Sequence, residues 1–365
     1  MRLLVATPLY PPDIGGPATY VRVLETGLPE SGIQVAVARF SSVRRFPKLI
    51  RHCAYFFMLL RAGRDADVLY ALDPVSTGFP AALAAKILRK PFVLKIVGDY
   101  AWEQGKQRFG VHETLDDFVR TKQHSVSVQF LQRIQTWVAK QAKTIIVPSA
   151  YLKGIVQRWG LPGDKIHVVF NAVSVSSFGK VPEEAALSRP RIVSVGRLVP
   201  WKGMGGLIDA LVQVREQFPT ASLTIAGDGP DRKSLEGYAG ARLQHSFSFT
   251  GALAHEDILA LLREADVFVI NSTYEGLSHL LIEAQMIGAP TVATDVGGNS
   301  EVITDGKDGL LIQSGDREEL AEAIKKLISD TELAASLHEH AKQASERFLP
   351  SGMLAHTEEI LKKSV

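Results

Sequence analysis

The sequence predicts an α/β protein built from two doubly wound parallel-sheet domains, and three observations carry that expectation. Short runs rich in Val, Ile and Leu recur at 3–7, 33–39, 68–72, 92–97, 144–147 and 166–170, with helical stretches between them. Continuous apolar runs of this length suit strands buried on both faces, which parallel sheets covered by helices provide. A polar, proline-containing segment at 179–190 then breaks the pattern, and it restarts at 191–195, 222–226, 266–271, 290–294 and 309–312. Finally, 365 residues exceed one ordinary core and suit two domains of roughly 150 to 200 residues each. The first domain is expected over 1–180 and the second over 188–349.

Each remaining stretch fits this frame. Residues 318–349 have helical periodicity, with Leu320, Ile324, Leu327 and Ile328 on one stripe. Pro350, Ser351 and Gly352 are expected to break it, with a last helix over 353–363. No internal repeat of solenoid length and no low-complexity tract is present. With 46% apolar and 22% charged residues, the chain falls in the globular range and has enough apolar surface for a sizeable core.

Composition also limits the partners. Cys53 is the single cysteine, so neither an internal disulfide nor a cysteine zinc cluster is expected, and a reducing, cytoplasmic location follows. The apolar N-terminal residues are soon followed by Pro8, Pro11 and Pro12, which fits a first strand better than a signal segment. The longest apolar run, 53–60, falls well short of the ~18 residues a membrane span needs. A net charge of +2 conceals an asymmetry: residues 1–185 hold 24 Lys/Arg against 14 Asp/Glu, and 186–365 hold 17 against 25. The two halves therefore meet different partners or attract each other. No nucleic-acid partner is expected.

The chemistry concentrates just after strands, where ligands bind in doubly wound sheets. In Val195-Gly196-Arg197-Leu198-Val199-Pro200-Trp201-Lys202-Gly203, a strand ends and two cations follow, five residues apart. A diphosphate would find there a bidentate guanidinium and a point-charge ammonium. An exposed basic loop is the competing reading. Downstream, Ser278 is a natural N-cap, and Gly288 followed by Pro290 a natural stop, so a helix is expected over His279–Ile287 with Glu275 in the loop before it. The first-turn N–H groups and helix dipole would favour a phosphate, and Gly276 permits close backbone approach. Glu275 and Glu283 flank that position, and an ionised carboxylate accepts two sugar hydroxyls at once. Glu283 on a solvent face is the alternative, but Leu281, Ile282 and Ala284 around it imply burial, and a buried carboxylate without a partner is costly. After the first strand, Pro11-Pro12-Asp13-Ile14-Gly15-Gly16 opens a helix with two glycines, which suits either a phosphate or sugar contact or a tight turn.

Together these pieces resemble the retaining glycosyltransferases of the GT-B fold, specifically glycosyltransferase family 4. The likeness lies in Gly196-Arg197-Leu198 with Lys202-Gly203, in the E-x7-E element from Glu275 to Glu283, and in Gly227-Asp228-Gly229-Pro230, Asn271-Ser272 and Gly288-Ala289-Pro290. In the first half it is looser, resting on Gly15-Gly16, Val147-Pro148-Ser149 and Val169-Phe170-Asn171. The resemblance implies two Rossmann-like domains with a donor/acceptor cleft between them, and a C-terminal helix, 350–365, that returns to the first domain. It implies that Arg197 and Lys202 neutralise a nucleotide-sugar diphosphate and that Glu283 holds the ribose. Glu275, with the backbone of Gly276, Leu277 and Ser278, would contact the transferred sugar. Backbone groups at 251–253, after another strand, would hold the base. Gly15 and Gly16 would complete the donor site. The nucleotide-sugar is then a co-substrate, and neither a cofactor nor a metal is required.

One departure from the family stands out. After the fourth strand the chain reads Lys95-Ile96-Val97-Gly98-Asp99, with Val97 where family members often place a histidine. Asp99 is the expected substitute on the catalytic face. The segment 99–143 is expected to shape acceptor choice, among a glycan, a lipid-linked and a small-molecule acceptor. His112 and His279 are expected to be structural. Arg44, Arg45, Lys48 and Arg51 beside the apolar 55–60 suit either a core helix with a basic outer face or peripheral association with an anionic membrane surface. Asp65-Ala66-Asp67 has metal-binding spacing but reads as a turn before a strand. Gly227-Asp228-Gly229 lacks the third glycine of a dinucleotide fingerprint, and no Walker A sequence is present. A nucleotide-sugar epimerase and a non-catalytic sugar-nucleotide-binding protein remain as alternatives.

Overall fold

A computed structural model describes the chain except for Pro12, Ile14, Lys122, Ser174 and Ser176, and the side chains of Lys48 and Leu49. The chain divides into two compact units, Met1–Ala172 with Pro350–Val365, and Val173–Leu349. Pro12 and Ile14 of the first loop motif thus lie outside the described residues.

The first unit runs β1 (Arg2–Thr7), α1 (Gly16–Gly27), β2 (Gln34–Arg39), α2 (Lys48–Ala62), β3 (Val68–Ala71), α3 (Gly78–Leu88), β4 (Phe92–Lys95), α4 (Tyr100–Arg108), α5 (Leu115–Arg120), α6 (Val126–Gln141), β5 (Thr144–Val147), α7 (Ala150–Arg158) and β6 (Ile166–Val168). Its six strands are parallel, in the order β2-β1-β3-β4-β5-β6. Every residue of β3 and β4 is buried, as strands covered on both faces require.

The second unit runs β7 (Arg191–Val195), α8 (Met204–Gln217), β8 (Ser222–Ala226), α9 (Arg232–Leu243), β9 (Phe247–Gly251), α10 (His255–Arg263), β10 (Val267–Ile270), α11 (His279–Ile287), β11 (Thr291–Thr294), β12 (Leu310–Ile312), α12 (Arg317–Ser329) and α13 (Thr331–Ser345). Its strands are also parallel, in the order β12-β11-β10-β7-β8-β9. The core packs Ile192, Leu223, Val267 and Val292 of the sheet against Leu207, Leu211 and Ile324. Strand order reverses where β7 meets β10, and the loops beyond their carboxyl ends are the positions where such sheets bind ligands.

The last helix, α14 (Pro350–Ser364), belongs to the first unit, where Met353 and Leu361 join the core of Val5, Tyr20, Leu24, Val93 and Ile146. It starts earlier than the expected 353: Pro350 takes the first helical position, where a fixed φ helps and no N–H is needed. The helical tail before it divides at Asp330, whose side chain accepts from Leu333 N at 2.9 Å and caps α13. Strand β4 stops at Lys95, short of the expected 97, because Asp99 caps α4.

Candidate functional site

Three loops at the carboxyl ends of β7, β10 and β11 are stitched together. After β7, Pro200–Lys202 makes a tight turn that Gly203 ends at φ 66°, just before α8. A Cβ at Gly203 would fall on the Asn271 carbonyl oxygen, so this close approach needs both the left-handed backbone and the missing side chain. Asn271 Nδ2 donates to Gly203 O at 2.8 Å, and Thr273 N to Trp201 O at 2.8 Å. From the β11 side, Gly298 N donates to Glu275 O at 3.0 Å, and Gly297, at φ 59°, leaves room for that carbonyl. Thr294 Oγ1 adds a bond to Ser272 O at 2.6 Å.

This scaffold joins two of the residues singled out from sequence. Lys202 Nζ lies 2.6 Å from Glu275 Oε1, and Ser272 Oγ donates to the same oxygen at 2.7 Å. Both side chains are largely buried, so the pair is a fixed charge couple and not a solvated surface bridge. Arg197 leaves the same β7 loop exposed, with no protein group bonded to its guanidinium among the described residues. Gly276, Leu277 and Ser278 are buried, and Ser278 Oγ caps α11 by accepting from Leu281 N at 3.3 Å. The positive end of the α11 dipole thus follows Glu275 directly.

Glu283 lies one to two turns into α11 and is 5% exposed. Burial pushes its carboxyl up to about 8. Its neighbour is His255, the first residue of α10, with Nε2 3.6 Å from Oε1. Sequence reading overlooked His255. Its signal was positional: it lies only a few residues beyond β9, in the same strand-end region as 251–253. Gly15 and Gly16 lie in the first unit, where Gly15 O accepts from Ala18 N at 2.9 Å and opens α1. A side chain at Gly15 would meet Leu9.

Asp99 differs from its expectation as a group facing substrate. It is buried, and it is the N-cap of α4: Oδ1 accepts from Trp102 N at 2.9 Å and Gln135 Nε2 at 3.0 Å, and Oδ2 from Trp159 Nε1 at 3.1 Å. Burial raises its pKa, opposed by these bonds. Both oxygens serve to fasten α4, α6 and the end of α7. Asp67 of the D-x-D spacing is likewise engaged, accepting from Arg2 N at 2.7 Å. Among the described residues, no three His, Cys, Asp or Glu side chains gather as metal ligands.

The chain is similar to known proteins in sequence and in fold. Residues 180–344 match the family model described as "Glycosyl transferases group 1", and 38–172 match "Glycosyl transferase 4-like domain". The chain is 34% identical over 154 residues to an alpha-D-kanosaminyltransferase of Streptomyces kanamyceticus, covering 42% of this chain and 40% of that protein. It is 28% identical over 279 residues to a glycogen synthase of Mycobacterium tuberculosis, covering 76% of this chain and 64% of that one. It therefore matches less than two thirds of the length of either relative. Among solved structures, Anabaena Alr3699/HepE in complex with UDP and glucose superposes with a TM-score of 0.78 at 22% identity, over 100% of both chains, and shares the fold.

Proposed function

The chain belongs to glycosyltransferase family 4, with the GT-B pair of Rossmann-like domains, and from that premise we propose that it is a retaining, metal-independent enzyme moving a sugar from a nucleoside diphosphate to a glycan, lipid-linked or small-molecule acceptor. One observation carries the reading. In the switch-point loops, Lys202 and Glu275 are held 2.6 Å apart beside an exposed Arg197 and the N-terminus of α11, with buried Glu283 on that helix.

Arg197 and Lys202 supply the positive charge that a departing diphosphate develops toward, and preorganised charges of this kind are the main lever on such a step. Glu275 meets the transferred sugar, and Glu283 accepts from the ribose. The leaving phosphate oxygen itself takes the acceptor proton, so no strong protein base is required. That matters because Asp99 is committed to capping α4. The relatives' names support sugar transfer, and a structural neighbour solved with UDP and glucose makes a UDP-sugar the first donor to try.

A thermal-shift screen of UDP-, GDP- and ADP-sugars tests the donor. At one hundred times its Kd, the true donor stabilises the folded state by about 2.7 kcal/mol. Product made from that donor should keep the anomeric configuration by NMR, and excess EDTA should leave the rate unchanged. An inverted product sinks the retaining assignment, and loss of activity restored by a divalent cation sinks metal independence. Isomerised donor without added acceptor would point to an epimerase.

We also propose that the first unit rests on an anionic membrane surface. Helices α2, α3 and α6 pack side by side, and Ile50, Phe57, Ile87, Val126 and Phe130 on them are each more than half exposed. Arg61, Arg133 and Lys140 of the same helices are exposed as well. Apolar side chains flanked by cations suit the interface of an anionic bilayer. Phe57→Asp with Phe130→Asp should abolish sedimentation with phosphatidylglycerol vesicles; equal sedimentation of the variant and parent sinks this docking face. No helix among the described residues is long and apolar enough to cross a membrane.

A further inference from the structure

Glu283 is an acid held where its charge is poorly solvated. It lies mid-way along α11, and burial alone accounts for its displaced proton affinity. Yet the task given to it above needs the ionised form, because a carboxylate accepts both ribose hydroxyls and a carboxylic acid does not. His255 offers the remedy. Its Nε2 lies 3.6 Å from Glu283 Oε1, and its own side chain is 51% exposed, so an imidazolium there keeps much of its hydration.

Helix α11 packs on α10 and α13, and several charged groups on these helices and in the loop before α11 have their own partners or positions. Glu275 is bound by Lys202, and His338 of α13 is held by Gly288 O at 2.6 Å. Glu256 and Asp257 occupy the first turn of α10 beside His255 and favour a cation there, against the helix dipole. His279 stands one turn before Glu283 on α11 and serves below as a control.

Resting on the assignment of Glu283 to the ribose, we propose that His255 is the positioning residue that keeps Glu283 ionised for the nucleotide. The pair holds one proton, and that proton moves from the Glu283 carboxyl to His255 Nε2 as the ribose hydroxyls arrive. Nothing is released to solvent, and binding stays insensitive to pH wherever the pair retains its single proton.

The readout is proton release. UDP, GDP and ADP are titrated first, and the tightest of the three is then bound at pH 7 in buffers of different ionisation enthalpy. The parent protein is expected to exchange close to no protons through this pair. His255→Ala leaves a buried carboxyl to ionise alone, so at pH 7 it should release more protons on binding than the parent and bind up to about tenfold more weakly, with the difference shrinking as pH rises. His255→Lys, which supplies a permanent cation, should restore both values, and His279→Gln should change neither. Equal proton counts in the parent and His255→Ala would overturn the inference, as would a loss of affinity that is the same at every pH. Glu283→Gln separates the two levels: unchanged nucleotide affinity removes the ribose assignment itself, whereas weakened affinity with a silent His255→Ala removes only the role of His255.

Discussion

Lys202→Ala is expected to lower kcat by about 10²–10³ and to weaken nucleoside-diphosphate affinity by about 1.5–3 kcal/mol. The first figure follows from removing one fixed positive charge aimed at the departing diphosphate, the second from losing one charge-assisted contact. The structure gives Lys202 a second duty, because its ammonium already neutralises Glu275 at 2.6 Å. Removing it leaves a largely buried carboxylate with Ser272 Oγ as its remaining bonded neighbour. Some stability is therefore lost as well, up to about 3 kcal/mol for a well-buried pair. The two duties separate in a second variant. Glu275→Gln frees the ammonium, so nucleoside-diphosphate affinity should hold or improve while turnover collapses. Calorimetry on the folded proteins decides: if Lys202→Ala binds the nucleotide as well as the parent, Lys202 is only the counter-ion of Glu275 and the diphosphate belongs to Arg197 and the α11 N-terminus.

That double duty also shows where sequence reading stops. The cations, the two glutamates and the Ser278 cap were legible because each belongs to a local pattern with a physical reason, such as a strand end, a cap or a helical spacing. Their mutual contact was not, since Lys202 and Glu275 are separated by 73 positions and meet only because β7 and β10 are sheet neighbours. Gly203 and Gly297 make that meeting possible by taking the backbone where a side chain would collide. The environment of Asp99 was hidden for the same reason, as Gln135 and Trp159 arrive from distant helices. Position after a strand suggested catalysis, and long-range donors turned the residue into a cap.

Among strands, apolar continuity did not register β9, which only the family resemblance placed before 251–253. Its residues Phe247-Ser248-Phe249-Thr250-Gly251 alternate apolar with polar, and it lies at the sheet edge, mostly half-buried. An edge strand with alternating character resembles a loop to any test tuned for buried parallel strands.

The second large effect concerns the first unit and a lysine with no acid beside it. Lys95, at the end of β4, is 2% exposed, and its Nζ has no hydrogen-bond partner. It faces the ring of Tyr20, with Nζ 4.1 Å from the centroid, and burial lowers its pKa from 10.5 to about 7. A lowered lysine pKa is a stability penalty. Unfolded, the side chain binds its proton up to about pH 10.5, while folded it releases it above about pH 7. The unfolded chain therefore holds more protons between those values, so stability rises with pH across that window. The penalty is fully present below pH 7 and gone above pH 10.5. The full displacement corresponds to about 4–5 kcal/mol, from which the ring contact returns about 1–2 kcal/mol. Lys95→Met keeps the length of the side chain and removes the charge, so it should stabilise the protein by about 2–3 kcal/mol at pH 6.5. For a unit of this size that is a rise of roughly 5–10 °C in Tm. At pH 10 the gain should shrink to within about 1 kcal/mol, because the parent lysine is by then neutral in the folded state and only about half a pH unit separates this pH from the end of the window, where the penalty vanishes. The Tyr20–Tyr70 hydroxyl bond at 2.8 Å does not involve Lys95 and should survive the change. Thermal unfolding of both proteins at pH 6.5 and pH 10 checks this. A variant less stable than the parent at pH 6.5 would mean that the ammonium is satisfied in the fold, and equal gains at both pH values would mean that burial, not charge, sets the cost.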